Sequence, residues 1–245
     1  MKITAEDPMK YLDTMEAVDS DIMDKVLNVM NHYDYHRYTA ADVRSALVKD
    51  NLSPEDFAAL LSPAAFPFLE EMARKAQYET RKHFGNSVCM FTPLYIANYC
   101  ENECVYCGFN CKNKIHRAKL TYEEIDHELS VIAATGLKEI LILTGESRHM
   151  SDVEYIGEAL KLARKYFSTI GIEIYPLNSD EYWYLHECGA DFVSVYQETY
   201  NPVKYEQMHL SGPKRIYPYR LNAQERALMG GMRGVSFGAL LGLDD

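Results

Sequence analysis

From Asn86 onward, short apolar runs alternate with amphipathic segments, and that alternation leaves the chain few architectures. Residues 88–94, 139–143, 170–177, 192–196 and 234–240 read as strands. Between them, Thr121-Tyr122-Glu123-Glu124 caps a helix that runs to Thr135 and ends at Gly136. Ser151-Asp152-Val153-Glu154 caps another that reaches about Phe167, and further helices cover 180–188 and 223–229. Apolar strands separated by helices call for a parallel sheet with helical cover, because such strands are buried on both faces. No dinucleotide-type glycine fingerprint follows a strand, so the pattern predicts an α/β fold of the TIM-type (βα) barrel class. In such a barrel the active site is built from loops at the C-terminal ends of the strands. The chain stops at Leu243-Asp244-Asp245, directly after the fifth predicted strand, and five strands do not close a barrel. A barrel truncated after strand five, as the N-terminal portion of a longer protein, is therefore expected.

The first 85 residues read differently. Residues 21–30 place apolar side chains at helical spacing. Thr39-Ala40-Ala41-Asp42 and Ser53-Pro54-Glu55-Asp56 both look like N-caps with an acidic third residue, and the second has proline at the first helical position. Residues 64–84 give a long amphipathic pattern that stops at Gly85. The expected division is a helical extension over 1–85 followed by a partial barrel over 86–245.

Composition excludes several partners. The chain has 36 acidic and 25 basic residues, a formal net charge of −11, so no nucleic acid or anionic membrane is expected as a partner. No apolar run approaches the roughly 18 residues of a membrane span, and the N-terminus lacks the apolar core of a signal peptide, which points to the cytoplasm. Of the 6 cysteines, Cys100, Cys104, Cys107 and Cys111 cluster, and that clustering favours metal or cluster ligation over a disulfide scaffold. Cys89 and Cys188 lie in apolar stretches and read as buried free thiols.

The stretch Cys100-Glu101-Asn102-Glu103-Cys104-Val105-Tyr106-Cys107 has the spacing C-x3-C-x2-C, with an aromatic residue before the third cysteine. Zinc ribbons pair two C-x2-C units, and only Cys104 and Cys107 have that spacing here. The loop resembles the signature of the radical S-adenosylmethionine (SAM) superfamily. A [4Fe–4S] cube held by three cysteines keeps one iron open, and the resemblance implies that SAM chelates it and is cleaved by an electron from the cluster. Cys100, Cys104 and Cys107 would then be the metal ligands. Cys111, which would fill the open iron, reads as a spare thiol, and Tyr106 would lie against the SAM adenine.

Further segments narrow the resemblance. Pro93-Leu94-Tyr95-Ile96-Ala97-Asn98-Tyr99-Cys100, Thr144-Gly145-Glu146, Val195-Tyr196-Gln197-Glu198-Thr199-Tyr200, Arg220-Leu221-Asn222 and Gly238-Ala239-Leu240-Leu241-Gly242-Leu243 are similar to the aromatic-amino-acid lyases of that superfamily. These include the 2-iminoacetate synthases of thiamine biosynthesis and the maturases of the iron-only hydrogenase. The resemblance implies cleavage of the Cα–Cβ bond of L-tyrosine to 2-iminoacetate and p-cresol. Its implied partners are a thiazole synthase that takes the imine and a reductant such as flavodoxin or ferredoxin. By position, Gly145 and Glu146 would hold the SAM amino group, Glu198 the ribose hydroxyls and Arg220 the SAM carboxylate. Solvated strand ends are the plainer account of Glu146 and Glu198, but their location at two different strand ends favours a site. Arg220 alone fits a helix-surface arginine equally well. No catalytic or tyrosine-binding residue is assigned. A maturase-type lyase making carbon monoxide and cyanide, and a non-catalytic fragment binding zinc or a cluster, stay open as alternatives.

Overall fold

Capping chemistry sets the first helices. α1 is Ile22–His32. α2, Ala40–Leu47, opens on a capping box between Thr39 and Asp42, and α3, Pro54–Leu61, on one between Ser53 and Asp56. The helix expected over 64–84 is divided. Pro63–Phe68 forms a 3-10 helix, because Pro67 has no N–H and disfavours α-helical backbone at the residue before it. α4 therefore begins at Leu69 and runs to Phe84, where Gly85, at φ 62°, ends it.

The structure, a computed structural model, describes residues 7–244. They form two compact units: Asn28–Cys89, and the described parts of Met1–Leu27 together with Met90–Asp245. The helical extension expected over 1–85 thus differs from the observed unit on its N-terminal side. Residues before Asn28 are tied to the sheet unit by polar contacts that no periodicity encodes. The Tyr11 hydroxyl donates to Asn222 at 3.1 Å, and the Glu16 carboxylate accepts from the backbone N–H and hydroxyl of Ser179 at 2.6 and 2.8 Å. The Tyr217 N–H donates to the Pro8 carbonyl at 2.9 Å.

In the sheet unit the order is β1 Phe91–Ala97, α5 Tyr122–Ala134, β2 Glu139–Thr144, α6 Val153–Ala163, β3 Thr169–Glu173, α7 Ser179–Glu187, β4 Phe192–Ser194, α8 Pro202–Met208, α9 Tyr217–Leu221, α10 Ala223–Met229 and β5 Gly234–Ser236. All neighbouring strands are parallel, and they lie in the order β1-β2-β3-β4-β5. Sequential order is that of a (βα) barrel, whereas a doubly wound sheet reverses direction at its centre. One face of the sheet carries Ile140, Ile142, Ile170, Ile172 and Val193 into a core with Ile125, Leu129, Ile156, Leu160, Tyr182 and Leu185 of the covering helices. Among the described residues no helix is long and apolar enough to cross a membrane.

The strand ends differ from expectation. β1 begins three residues later than its apolar run, because its ladder to β2 starts with Phe91 opposite Glu139. Cys89 lies outside that ladder and is exposed, so the buried thiol expected there is corrected, while Cys188 is buried. The runs 170–177, 192–196 and 234–240 leave the sheet after Glu173, Ser194 and Ser236. Their remaining residues become loops at the C-terminal edge, which is where the candidate site forms.

Candidate functional site: a cysteine-lined cavity at the strand ends

A row of side chains on the uncovered face of the sheet forms the floor of the site. Tyr95 pairs with Leu143, and Leu143 with Glu173, along the parallel register. Above this row lies a cavity of about 180 Å³, and its lining includes Cys100, Cys104, Tyr106, Cys107, Gly145, Glu146, Glu198 and Arg220. The structure thus gathers every site residue expected from the sequence around one space. Cys111 is exposed and does not line this cavity; it borders a second one, which Cys100 also lines.

The cysteine loop is fixed by backbone contacts to two distant segments. Glu101 N–H donates to the Glu146 carbonyl at 2.9 Å, just past β2. On the other side, Glu103 N–H donates to the Ser211 carbonyl at 2.9 Å and Val105 N–H to the Met208 carbonyl at 3.0 Å. Two glycines permit the approach. A Cβ on Gly145 would sit 2.2 Å from the Tyr99 carbonyl oxygen, and one on Gly212, at φ +95°, would sit 2.4 Å from Asn102 Oδ1. Gly145 therefore has a packing duty beneath the loop in addition to the role the resemblance implies. Within the loop, Asn110 donates to the Cys104 carbonyl at 2.8 Å, and the Arg117 guanidinium clamps the carbonyls of Asn98 and Asn110.

Two ion pairs cross the cavity. Arg220 Nη1 lies 2.9 Å from Glu146 Oε1, while its Nε donates to the Tyr196 carbonyl at 2.6 Å. Lys214 Nζ lies 2.9 Å from Glu198 Oε1. Glu198 is the one non-glycine with positive φ among the described residues, at 73°, a costly backbone conformation of the kind that collects at functional sites. Asn102 links both sides of the site, donating to Glu146 Oε2 and accepting from Lys214 N–H, each at 2.8 Å. Burial opposes the charge on Glu146, but Arg220, Lys214 and its hydrogen bonds outweigh that and hold its carboxyl below the ordinary value. Burial pushes the Cys104 thiol up to about 12, against the pull of Lys214. Burial together with Lys214 holds the His209 imidazole down to about 3.

Asn102, Lys214 and His209 were not singled out by sequence reasoning. Asn102 lay hidden inside the cysteine motif, and Lys214 and His209 sit in a stretch without regular periodicity. The signal available was the dipeptide Gly212-Pro213 just before Lys214, a turn marker in a segment rich in polar residues.

The donor set fits the expected cofactors. Three cysteines of one loop line one cavity and Cys111 is not among its lining residues, which suits a cluster with an open iron. Among the described residues no three His, Cys, Asp or Glu side chains converge on a single ion position. In a cube each thiolate meets a different iron, so such convergence is not required. Thr144 Oγ1, at the end of β2 on the cavity wall, is buried without a hydrogen-bond partner among the described residues. An orphaned buried hydroxyl costs about 1–3 kcal/mol, which a polar ligand group in the cavity would offset.

Comparison with known proteins agrees with this geometry. Residues 94–244 match the Radical SAM superfamily. The chain is 42% identical over 207 residues to the 2-iminoacetate synthase of Salmonella typhimurium, covering 84% of this chain and 55% of that protein. It is 41% identical to the Escherichia coli 2-iminoacetate synthase, with the same coverage. The chain thus spans about half the length of the curated relatives it matches. The crystal structure of the FeFe-hydrogenase maturase HydG from Carboxydothermus hydrogenoformans superposes with a TM-score of 0.81 at 27% identity, covering 91% of this chain and 53% of that one. The chain belongs to the Radical SAM superfamily, and its cofactors are those of that superfamily, a [4Fe–4S] cluster and S-adenosylmethionine.

Proposed function

We propose that the protein acts in a radical SAM lyase reaction that breaks the Cα–Cβ bond of L-tyrosine, giving p-cresol and 2-iminoacetate for thiazole formation in thiamine biosynthesis. The observation that carries this reading is the 42% identity to a 2-iminoacetate synthase along 84% of the chain. When bound, the cluster and SAM supply the radical that takes a hydrogen from the substrate. The chain's own residues bind, orient and shield. Cys100, Cys104 and Cys107 hold the cluster.

The α-amino-acid end of SAM is a zwitterion, and the adjacent Glu146 and Arg220 are its electrostatic complement. Inserted between them, it exchanges one protein ion pair for two with the ligand, the ammonium on Glu146 and Gly145 and the carboxylate on Arg220. Glu198 takes the ribose hydroxyls, and Tyr106 faces the adenine. A thiazole synthase takes the imine, a flavodoxin or ferredoxin supplies the electron, and the reaction runs in the cytoplasm.

The likeness to HydG favours one second reading, a maturase-type lyase that makes carbon monoxide and cyanide. Full-length protein, loaded anaerobically with iron and sulfide, reduced, and given SAM and tyrosine, separates the two. p-Cresol with glyoxylate, the hydrolysis product of the imine, is expected. p-Cresol with carbon monoxide and cyanide moves the assignment to the maturase. Stoichiometric zinc and no 5′-deoxyadenosine sink both.

A further inference from the structure

His209 is fully buried at the C-terminal end of α8, and the functional reading above gives it no part. Its backbone pairs with that of Cys104 in an isolated antiparallel bridge, so it is held against the cysteine loop. Its ring is fixed at both nitrogens. Nδ1 lies 2.8 Å from the Tyr205 carbonyl, and a carbonyl can only accept, so Nδ1 carries a hydrogen. Nε2 lies 2.7 Å from the Tyr106 hydroxyl. The Tyr205 ring packs on His209 with centroids 4.0 Å apart, and the Tyr106 ring meets it edge-on at 5.6 Å and 86°. One side chain therefore fixes both the position and the tilt of Tyr106.

We propose that His209 is the positioning residue for Tyr106, engaging the phenol hydroxyl on the protein side so that Tyr106 offers the cysteine-lined cavity a ring face. Tyr106 borders that cavity, and Lys214 Nζ, on the same cavity wall, stands 5.8 Å from the ring centroid. A ring whose polar tip is already engaged recognises a flat heteroaromatic group by stacking, with no hydrogen bond of its own to give. In the SAM reading of this cavity that group is the adenine. The inference rests on reading the cavity as the SAM site, and its consequences are separable from the fate of tyrosine.

The experiment uses the full chain and three variants, His209→Phe, Tyr106→Phe and the two combined. Nitrogen-15 NMR of histidine-labelled protein reads the tautomer directly, and the Nδ1–H form is expected for His209. Iron content after reconstitution and SAM affinity by equilibrium dialysis complete the set. Each single variant leaves one partner of a buried hydrogen bond alone, so each is expected to bind SAM about tenfold more weakly at unchanged iron content. The double variant removes both partners, and its loss is expected to be clearly smaller than the product of the two. His209→Gln, which keeps a hydrogen-bonding tip, is expected to recover affinity to within about threefold of wild type. Should His209→Phe not fold, His209→Leu takes its place in the cycle, with the same expected loss.

Unchanged SAM affinity in His209→Phe, losses that simply multiply, or an Nε2–H tautomer would each overturn the inference. A loss of thermal stability and iron with normal SAM affinity would reduce His209 to a core residue and overturn it too. Should the variants show the expected pattern while wild type yields no p-cresol, the inference stands and the lyase reading falls.

Discussion

Gly145 shows how little tolerance the site has at single residues. A methyl group there would meet the Tyr99 carbonyl oxygen at 2.2 Å, and backbone, unlike a flexible side chain, has nowhere to go. Gly145→Ala should therefore cost about 1–3 kcal/mol as overpacking and push the cysteine loop out of place. Iron bound after reconstitution should fall from about four per chain to below about one, and the denaturation midpoint should drop with it. The Glu146–Arg220 pair makes the opposite point, because here chemistry matters more than space. Both side chains are largely buried, so Arg220→Met leaves a carboxylate without its main counter-charge and is expected to destabilise by about 3–5 kcal/mol. Replacing both, as Glu146→Gln with Arg220→Met, should recover much of that loss in urea melts, although SAM binding stays lost. Cys100, Cys104 and Cys107 could be picked out as candidate cluster ligands from a motif that resembles the radical SAM signature. Lys214 could not, because its importance lies in a 2.9 Å contact with a residue sixteen positions away and in its place against Asn102.

At the scale of elements, caps were the most legible feature. Ser53, Pro54 and Asp56 announce α3, and the structure forms that box as written. The Asp56 carboxyl is held at about 2, below its ordinary 3.8, by hydrogen bonds from Lys49, the Ser53 backbone and the Ser53 hydroxyl. A lowered folded-state value means the stabilisation is fully present above pH 3.8 and is lost as pH falls towards about 2. Amide-exchange protection factors in this helix should therefore fall across that window, and Asp56→Asn should flatten the response. Ser53→Ala should cost about 1 kcal/mol in the same element. Strand ends were less legible than caps. Residues 170–177 are apolar apart from Glu173, yet only Thr169–Glu173 form β3, because hydrophobicity reports burial and cannot say whether a buried residue lies in a ladder or in a packed loop. α8 and α9 went unseen because both are short, and their apolar residues serve a small separate cluster around Tyr205 and Tyr217.

For the whole molecule, the cavity lies where β1 to β4 end, so cofactor binding and the order of the sheet unit are linked. SAM binds the folded cluster-loaded protein and not the unfolded chain. At a hundred times its dissociation constant it should add about 2.7 kcal/mol to stability, read as a rise in the unfolding midpoint that Cys104→Ala abolishes. The sequence by itself determined the alternation that makes a parallel sheet, the caps that start its helices and the C-x3-C-x2-C spacing of Cys100, Cys104 and Cys107. All of these depend on residues close together in the chain. Only the tertiary structure decided that residues 7–27 pack with the sheet unit, that Cys89 is exposed, that Lys214 and Asn102 line the same cavity as the cysteines, and that His209 lies buried against Tyr106. The physical reason is that a local signal is carried by spacing of a few residues. A site is carried by contacts such as Asn102 to Glu146 and Lys214, whose separation along the chain leaves no periodic trace.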